Sequence, residues 1–186
     1  MLDAQPTEAF ATGNALIAPD AAPTHVWYLR SGLVRVYSLD HDGAEFNHDF
    51  VGAADWVFGR VIWRDGAICC VDRAIGAVAL KPVRAVRVGV AELARRRDAD
   101  PAIAAYLLDR LMAFTARRLE READLVQRSA EERYLALVAR RPELLDEVPL
   151  REIAAWLGIT PVALSRIRRR VASKKGTGAV TDRCIK

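Results

Sequence analysis

Four arginines, Arg166, Arg168, Arg169 and Arg170, fall within five residues of the stretch 153–171, IAAWLGITPVALSRIRRRV. A guanidinium is permanently charged, planar and donor only, so its fork matches phosphate oxygens and, in two parallel hydrogen bonds, the edge of a guanine. That is chemistry for holding a polyanion, not for breaking a bond. The surroundings agree with it: residues 160–186 hold 8 basic and 1 acidic side chains. Over the whole chain, residues 1–93 carry 8 Lys+Arg against 11 Asp+Glu and residues 94–186 carry 20 against 13, so a modest net charge of +4 hides halves of −3 and +7. The excess lies at the C-terminal end, where a polyanionic partner would be met. A solvated basic tail would share this composition, but it would not share the spacing described next.

The arginines need an element to present them, and the residues around Gly158 supply one. Ala154 lies four residues before that glycine, Leu164 six after and Ile167 nine after. In a helix-turn-helix the small residue lets two helices approach, the glycine takes the turn, and the later apolar pair pins the second helix onto the first. Thr160 can cap the second helix and Pro161 can occupy its first turn. At about 100° per residue, Leu164, Ile167 and Val171 face inward, while Val162, Arg166, Arg169 and Arg170 gather on the opposite side. Such a helix can enter the major groove. Arg166 would then read bases with help from Ser165, and Val162 could touch a thymine methyl. Arg168, Arg169, Arg170 and Lys174 would neutralise phosphates, with Lys174 and Lys175 alternatively forming a flexible tail.

Upstream, Ser129 and Glu132 form a capping box, Pro142 interrupts a helical pattern and Pro149 opens the next. Earlier still, a long helical pattern starts at Pro101, with Asp100 as N-cap and no glycine until Gly158. Ile103, Leu107, Leu111 and Phe114 recur along it at helical spacing, and Leu108, Thr115, Leu119 and Val126 extend a neighbouring row. This stripe can pack on its own β domain, on a symmetry mate, or on both. A dimer seam through Leu107, Leu108, Leu111, Phe114 and Thr115 is expected. Residues 13 to about 90 are short β-branched and aromatic runs punctuated by Gly and Pro, the pattern of a β-sandwich or barrel. One break falls at Ser31 and Gly32, and a hairpin turn at Asp42 and Gly43.

Other chemistries find little support. Cys69, Cys70 and Cys184 make no zinc pattern and read as structural thiols. His25, His41 and His48, with Glu45 and Asp49 nearby, lack the H-x-H pairing of barrel metalloenzymes. Neither a nucleophile elbow nor a phosphate-cradling loop is present. The expectation is therefore no enzyme, no catalytic residue and no metal. With no run of about 18 apolar residues and no secretory leader pattern, a cytoplasmic protein is expected.

The stretch SAEERYLALVARRPELLDEVPLREIAAWLGITPVALSRIRRR, 129–170, resembles the Crp/Fnr family of bacterial transcription regulators. The segment GNALIAPDAAPTHVWYLRSGLVRVYSLDHDGAEFNHDFV is similar to the start of that family's sensor barrel, so the resemblance spans nearly the whole chain. It implies an α+β protein: an N-terminal double-stranded β-helix (jelly-roll) barrel, a long dimerisation helix and a C-terminal winged-helix-like helix-turn-helix. The boundaries would be 1–98 for the cyclic-nucleotide-binding-like sensor, 99–128 for the dimerisation helix and 129–186 for the DNA-binding domain. Implied partners are double-stranded DNA, a second copy of the chain and RNA polymerase, with signal transfer pivoting near QRSAEE. The resemblance places possible ligand contacts at Gly59, Arg60 and Arg73. Arg60 stands where members that bind cyclic AMP carry a glutamate, and a guanidinium cannot accept the ribose hydroxyl hydrogens, so no cofactor, cyclic AMP included, is expected. The expected function is a homodimeric regulator binding promoter DNA under an unknown signal at the barrel. The alternatives are a sensor whose helix-turn-helix contacts protein and, behind it, a metal-dependent barrel enzyme.

Overall fold

The computed structural model describes residues 5–21, 24–43, 45–58, 61–64, 67–70 and 75–181, with the side chains of all of these except 61–64, 67–70 and 175–181. The chain divides into two compact units, Met1–Arg118 and Leu119–Lys186.

The first unit begins with strands β1 (Thr7–Phe10), β2 (Ala15–Ile17), β3 (His25–Ser31), β4 (Val34–Leu39) and β5 (Glu45–Val51). It continues through β6 (Trp56–Val57), β7 (Val61–Arg64), β8 (Ala67–Cys70), β9 (Ile75–Ala79) and β10 (Val83–Gly89). Helix α1 (Val90–Ala99) and most of α2 (Pro101–Gln127) follow. Two four-stranded antiparallel sheets form, in the orders β1-β10-β3-β6 and β2-β9-β4-β5, together with a β7-β8 hairpin. Trp27, Leu29, Val83 and Ala85 point from the first sheet into the space shared with Val34, Val51, Ala77 and Ala79 of the second. Their neighbours Val26, Val86 and Val88 point the other way, into a second core with Trp56, Val90 and Leu93. Strands β3 and β10 are thus covered on both faces, which is why the VWYL of β3, residues 26–29, is a continuous apolar run rather than an alternation. Two polar handles within these cores are satisfied: Trp27 Nε1 donates to the Leu16 carbonyl at 3.0 Å and Trp56 Nε1 to the Tyr106 hydroxyl at 3.0 Å.

The hairpin turn lies where the sequence placed it. Gly43 has φ 80°, its N–H meets the Asp40 carbonyl at 3.2 Å, and β4 pairs with β5 across it. The break at Gly32 carries the chain from one sheet to the other, so β3 and β4 do not pair.

The second unit takes the end of α2 and adds α3 (Ala130–Arg140), α4 (Leu144–Glu147), α5 (Leu150–Trp156) and α6 (Pro161–Thr181). Its core is Tyr134, Leu137, Leu144, Val148, Ile153, Ala154, Leu157, Leu164 and Ile167. The capping box is complete: Glu132 N–H donates to Ser129 Oγ at 3.3 Å and Ser129 N–H to Glu132 Oε2 at 2.8 Å. Helix α6 runs on past Val171 to Thr181 and no strand follows it among the described residues, so the wing implied by the resemblance is not among them. No helix of the described residues is long and apolar enough to cross a membrane.

Candidate nucleic-acid interface

Helix α5 ends in a turn that the local sequence dictates. Gly158, at φ 67°, donates to the Ala155 carbonyl at 3.1 Å, and Ile159 donates to the Ala154 carbonyl at 3.0 Å. This is the paired closure of a Schellman motif, which needs a residue at ease with positive φ. Two residues later Thr160 caps α6, its Oγ1 accepting from the Ala163 N–H at 3.2 Å. Ala154 is fully buried, which allows the close approach of α5 and α6, and Leu164 and Ile167 close the contact from the other side.

Two guanidiniums that sequence reasoning missed brace this turn. Arg133 donates to the Leu157 carbonyl at 2.9 Å and to the Arg128 carbonyl at 2.7 Å, tying the end of α5 to the end of α2. Arg121 donates to the Trp156 carbonyl at 2.7 Å, its guanidinium 5.3 Å from the Trp156 ring centroid. Cations over the open carbonyls of a helix C-terminus oppose its partial negative charge. The QRSAEE junction proposed as the pivot therefore lies inside the second unit, and bending there would break the bonds made by Arg133. No sequence signal marks Arg133 among the arginines, because its partners are backbone atoms brought together only by folding.

The outward face of α6 is polar and basic. Val162 is 61 % exposed, and Ser165, Arg166, Arg168, Arg169 and Arg170 are exposed beside it. Among the described residues, Arg166, Arg168 and Arg169 have no carboxylate partner. Arg170 and Lys174 do. Both reach Glu131 in the first turn of α3, Lys174 Nζ at 2.8 Å from Oε1 and Arg170 Nη2 on Oε2. Hydrogen bonding from Lys174, reinforced by the Arg170 charge, holds the Glu131 carboxyl below its usual range. Lys174 is thus on a helix and paired; Lys175 is on the same helix, its side chain outside those described.

On α2 the expected seam residues divide. Leu107 packs against the second core of the β unit, and Phe114 meets Phe58 with ring centroids 6.1 Å apart. Leu108, Leu111 and Met112 are 60 %, 48 % and 62 % exposed, and Thr115 beside them is exposed with its hydroxyl on the Leu111 carbonyl. Arg117 turns back to the β unit, pairing with Asp55 at 3.0 Å and Asp49 at 3.5 Å.

The expected ligand contacts Gly59, Arg60 and Arg73 lie outside the described residues, as does Cys184. Cys69 and Cys70 are neighbours on β8, their side chains outside those described. Next to Gly59 in the chain, Phe58 lines a small cleft with Val36, His48, Trp56, Phe114 and Arg118. The three histidines are separate. His48 shares a 2.8 Å hydrogen bond with Ser38 Oγ, His41 is beside Asp42 on the surface, and His25 packs edge-on to Trp27. Burial, and after it the charge of Arg87, hold His25 below its usual pKa. Among the described residues no group of three or more His, Cys, Asp or Glu side chains could hold a metal.

No family model matches this sequence, and no curated protein matches it. Solved structures do. FixK2 from Bradyrhizobium japonicum aligns with a TM-score of 0.77 over 92 % of this chain and 86 % of its own, at 17 % identity. CLP, a c-di-GMP responsive global regulator of Xanthomonas campestris, aligns at 0.71 over 92 % and 88 % with 14 % identity. A Eubacterium rectale protein assigned as a transcriptional regulator of the Crp/Fnr family aligns at 0.71 over 92 % and 80 %, also with 14 % identity. Likeness at these identities is likeness of fold: two antiparallel sheets, a long helix and a helix-turn-helix, in that order, give this chain the fold of the Crp/Fnr regulators.

Proposed function

We propose that this chain is a transcription regulator that binds double-stranded promoter DNA as a homodimer and acts on RNA polymerase under a signal received at the β unit. The observation that carries the reading is the outward face of α6, where Arg166, Arg168 and Arg169 stand exposed, without acidic partners among the described residues, on a helix held by a helix-turn-helix core. In the major groove Arg166 reads a guanine edge, with Ser165, Val162 and Thr160 alongside it, while Arg168 and Arg169 meet phosphates. The exposed row Leu108, Leu111, Met112 and Thr115 on α2 is the surface for a second copy. A two-fold axis then sets two half-sites about one helical turn, roughly 34 Å, apart.

The test is fluorescence anisotropy of the purified protein against fragments of its own genome over a salt series, with Arg166→Ala alongside. Tight binding to a few fragments that weakens steeply with salt and fails in the variant is the expected result. Salt-insensitive or absent binding throughout, with a folded protein, would overturn the reading.

A further inference from the structure

The pairing of Arg170 and Lys174 with Glu131 deepens the DNA-binding reading and rests on it. We propose that Glu131 is a positioning residue that withholds Arg170 and Lys174 from the phosphate backbone, leaving Arg168 and Arg169 to carry the phosphate-neutralising charge of α6 beside the base-reading Arg166. Arg166, Arg170 and Lys174 are successive members of one row, each a helical turn from the next. By charge alone all three would be equivalent on a DNA backbone. The fold separates them: the last two share the carboxylate of Glu131, and the first has no acidic partner among the described residues.

A single exposed ion pair is easily exchanged. This one is different in kind, because one carboxylate is held by two cations and by the first turn of α3, where open backbone N–H groups favour negative charge. Moving Arg170 or Lys174 onto a phosphate gives up that contact and leaves the Glu131 carboxylate, 20 % exposed, nearer a polyanion. Arg168 and Arg169, which have no carboxylate partner among the described residues, surrender no such ion pair when they meet phosphate. Fewer phosphate contacts mean weaker sequence-independent binding, since that binding is almost wholly electrostatic. Base contacts then make up a larger share of the total. Glu131 thereby lowers sequence-independent affinity and leaves base contacts as the larger part of the binding free energy, without touching a base.

The experiment measures the slope of log K against log salt on a random-sequence duplex long enough for two half-sites. Glu131→Gln is expected to steepen the slope by about 1.8 per protomer, from two additional contacts of about 0.9 each. Lys174→Ala is expected to leave the parent slope unchanged and to flatten the Glu131→Gln slope by about 0.9. Arg168→Ala flattens both. Because Glu131 lies in the capping turn of α3, Lys174→Ala in the parent protein tests the same point without disturbing that turn. A parent slope that flattens on Lys174→Ala, or an unchanged slope in a folded Glu131→Gln protein, overturns the proposal while leaving DNA binding intact. Salt-insensitive binding by the parent itself overturns both readings.

Discussion

The β unit and the helical unit each turn on a glycine with positive φ, and the two glycines are needed for different reasons. Gly32, at φ 96°, carries the chain from β3 to β4 and from one sheet to the other; a Cβ there would run into the Pro82 carbonyl oxygen and approach Val83 Cα to 2.8 Å. Gly158, at φ 67°, closes α5 in a more open place, where the nearest atom to an added Cβ is Leu125 Cδ2 at 3.4 Å. The first is held by backbone packing and the second by conformation alone. The arginines divide in the same way. Arg35 is buried with its guanidinium 3.0 Å from the Asn47 side chain and paired with Glu45, and Arg117 bridges Asp49 and Asp55. On α6, Arg166, Arg168 and Arg169 face water. In the β unit charge completes the fold, and in the helical unit part of it is kept available.

This contrast can be broken by substitution. The largest effect is expected from Gly32→Ala, which combines left-handed strain of about 1–2 kcal/mol with overpacking of about 1–3 kcal/mol. Denaturant unfolding should show it as a lowered midpoint of the β unit, and a loss no greater than that of Gly158→Ala would contradict the packing argument. Next comes Arg133→Ala, which leaves the Leu157 and Arg128 carbonyls without their charged donor and is expected to destabilise the helical unit by about 1–3 kcal/mol. Arg166→Ala should move stability by no more than about 0.5 kcal/mol while weakening DNA affinity by roughly 1–3 kcal/mol and relaxing base preference. A variant that melts early instead would place Arg166 with the structural arginines. Gly158→Ala is expected to lose only the conformational part, about 1–2 kcal/mol, read from the same unfolding curve.

The smallest effect is a pH dependence. Hydrogen bonds from the Ser129 hydroxyl and then from the Ser129 backbone hold the Glu132 carboxyl below its usual 4.5. A carboxyl depressed in the folded state stabilises the fold above its unfolded value and loses that contribution as pH falls through the folded one. The melting temperature of the helical unit should therefore fall on acidification below 4.5, and less steeply in Glu132→Gln. Parallel profiles for the two proteins would remove the capping box from the acid response.

The sequence by itself determined what neighbouring residues can decide among themselves. The Thr160 cap, the Ser129 and Glu132 box, the glycine closure of α5 and the Asp42–Gly43 hairpin each involve hydrogen bonds spanning a few residues, and the inward setting of Leu164 and Ile167 follows from helical period alone. Tertiary structure decided whatever depends on distant partners. The apolar stripe of α2 is continuous in sequence, yet Leu107 and Phe114 turn to the β unit while Leu108 and Leu111 remain outside. Short-range pattern cannot make that division, because it does not record how wide a face the sheets cover. Glu131 and Lys174 stand 43 residues apart, and nothing in either neighbourhood marks one for the other. The arginine row on α6 announces a polyanion by composition, but which of its charges remain free is settled only when α3 brings a carboxylate alongside it, since an ion pair depends on distance in space and not on separation along the chain.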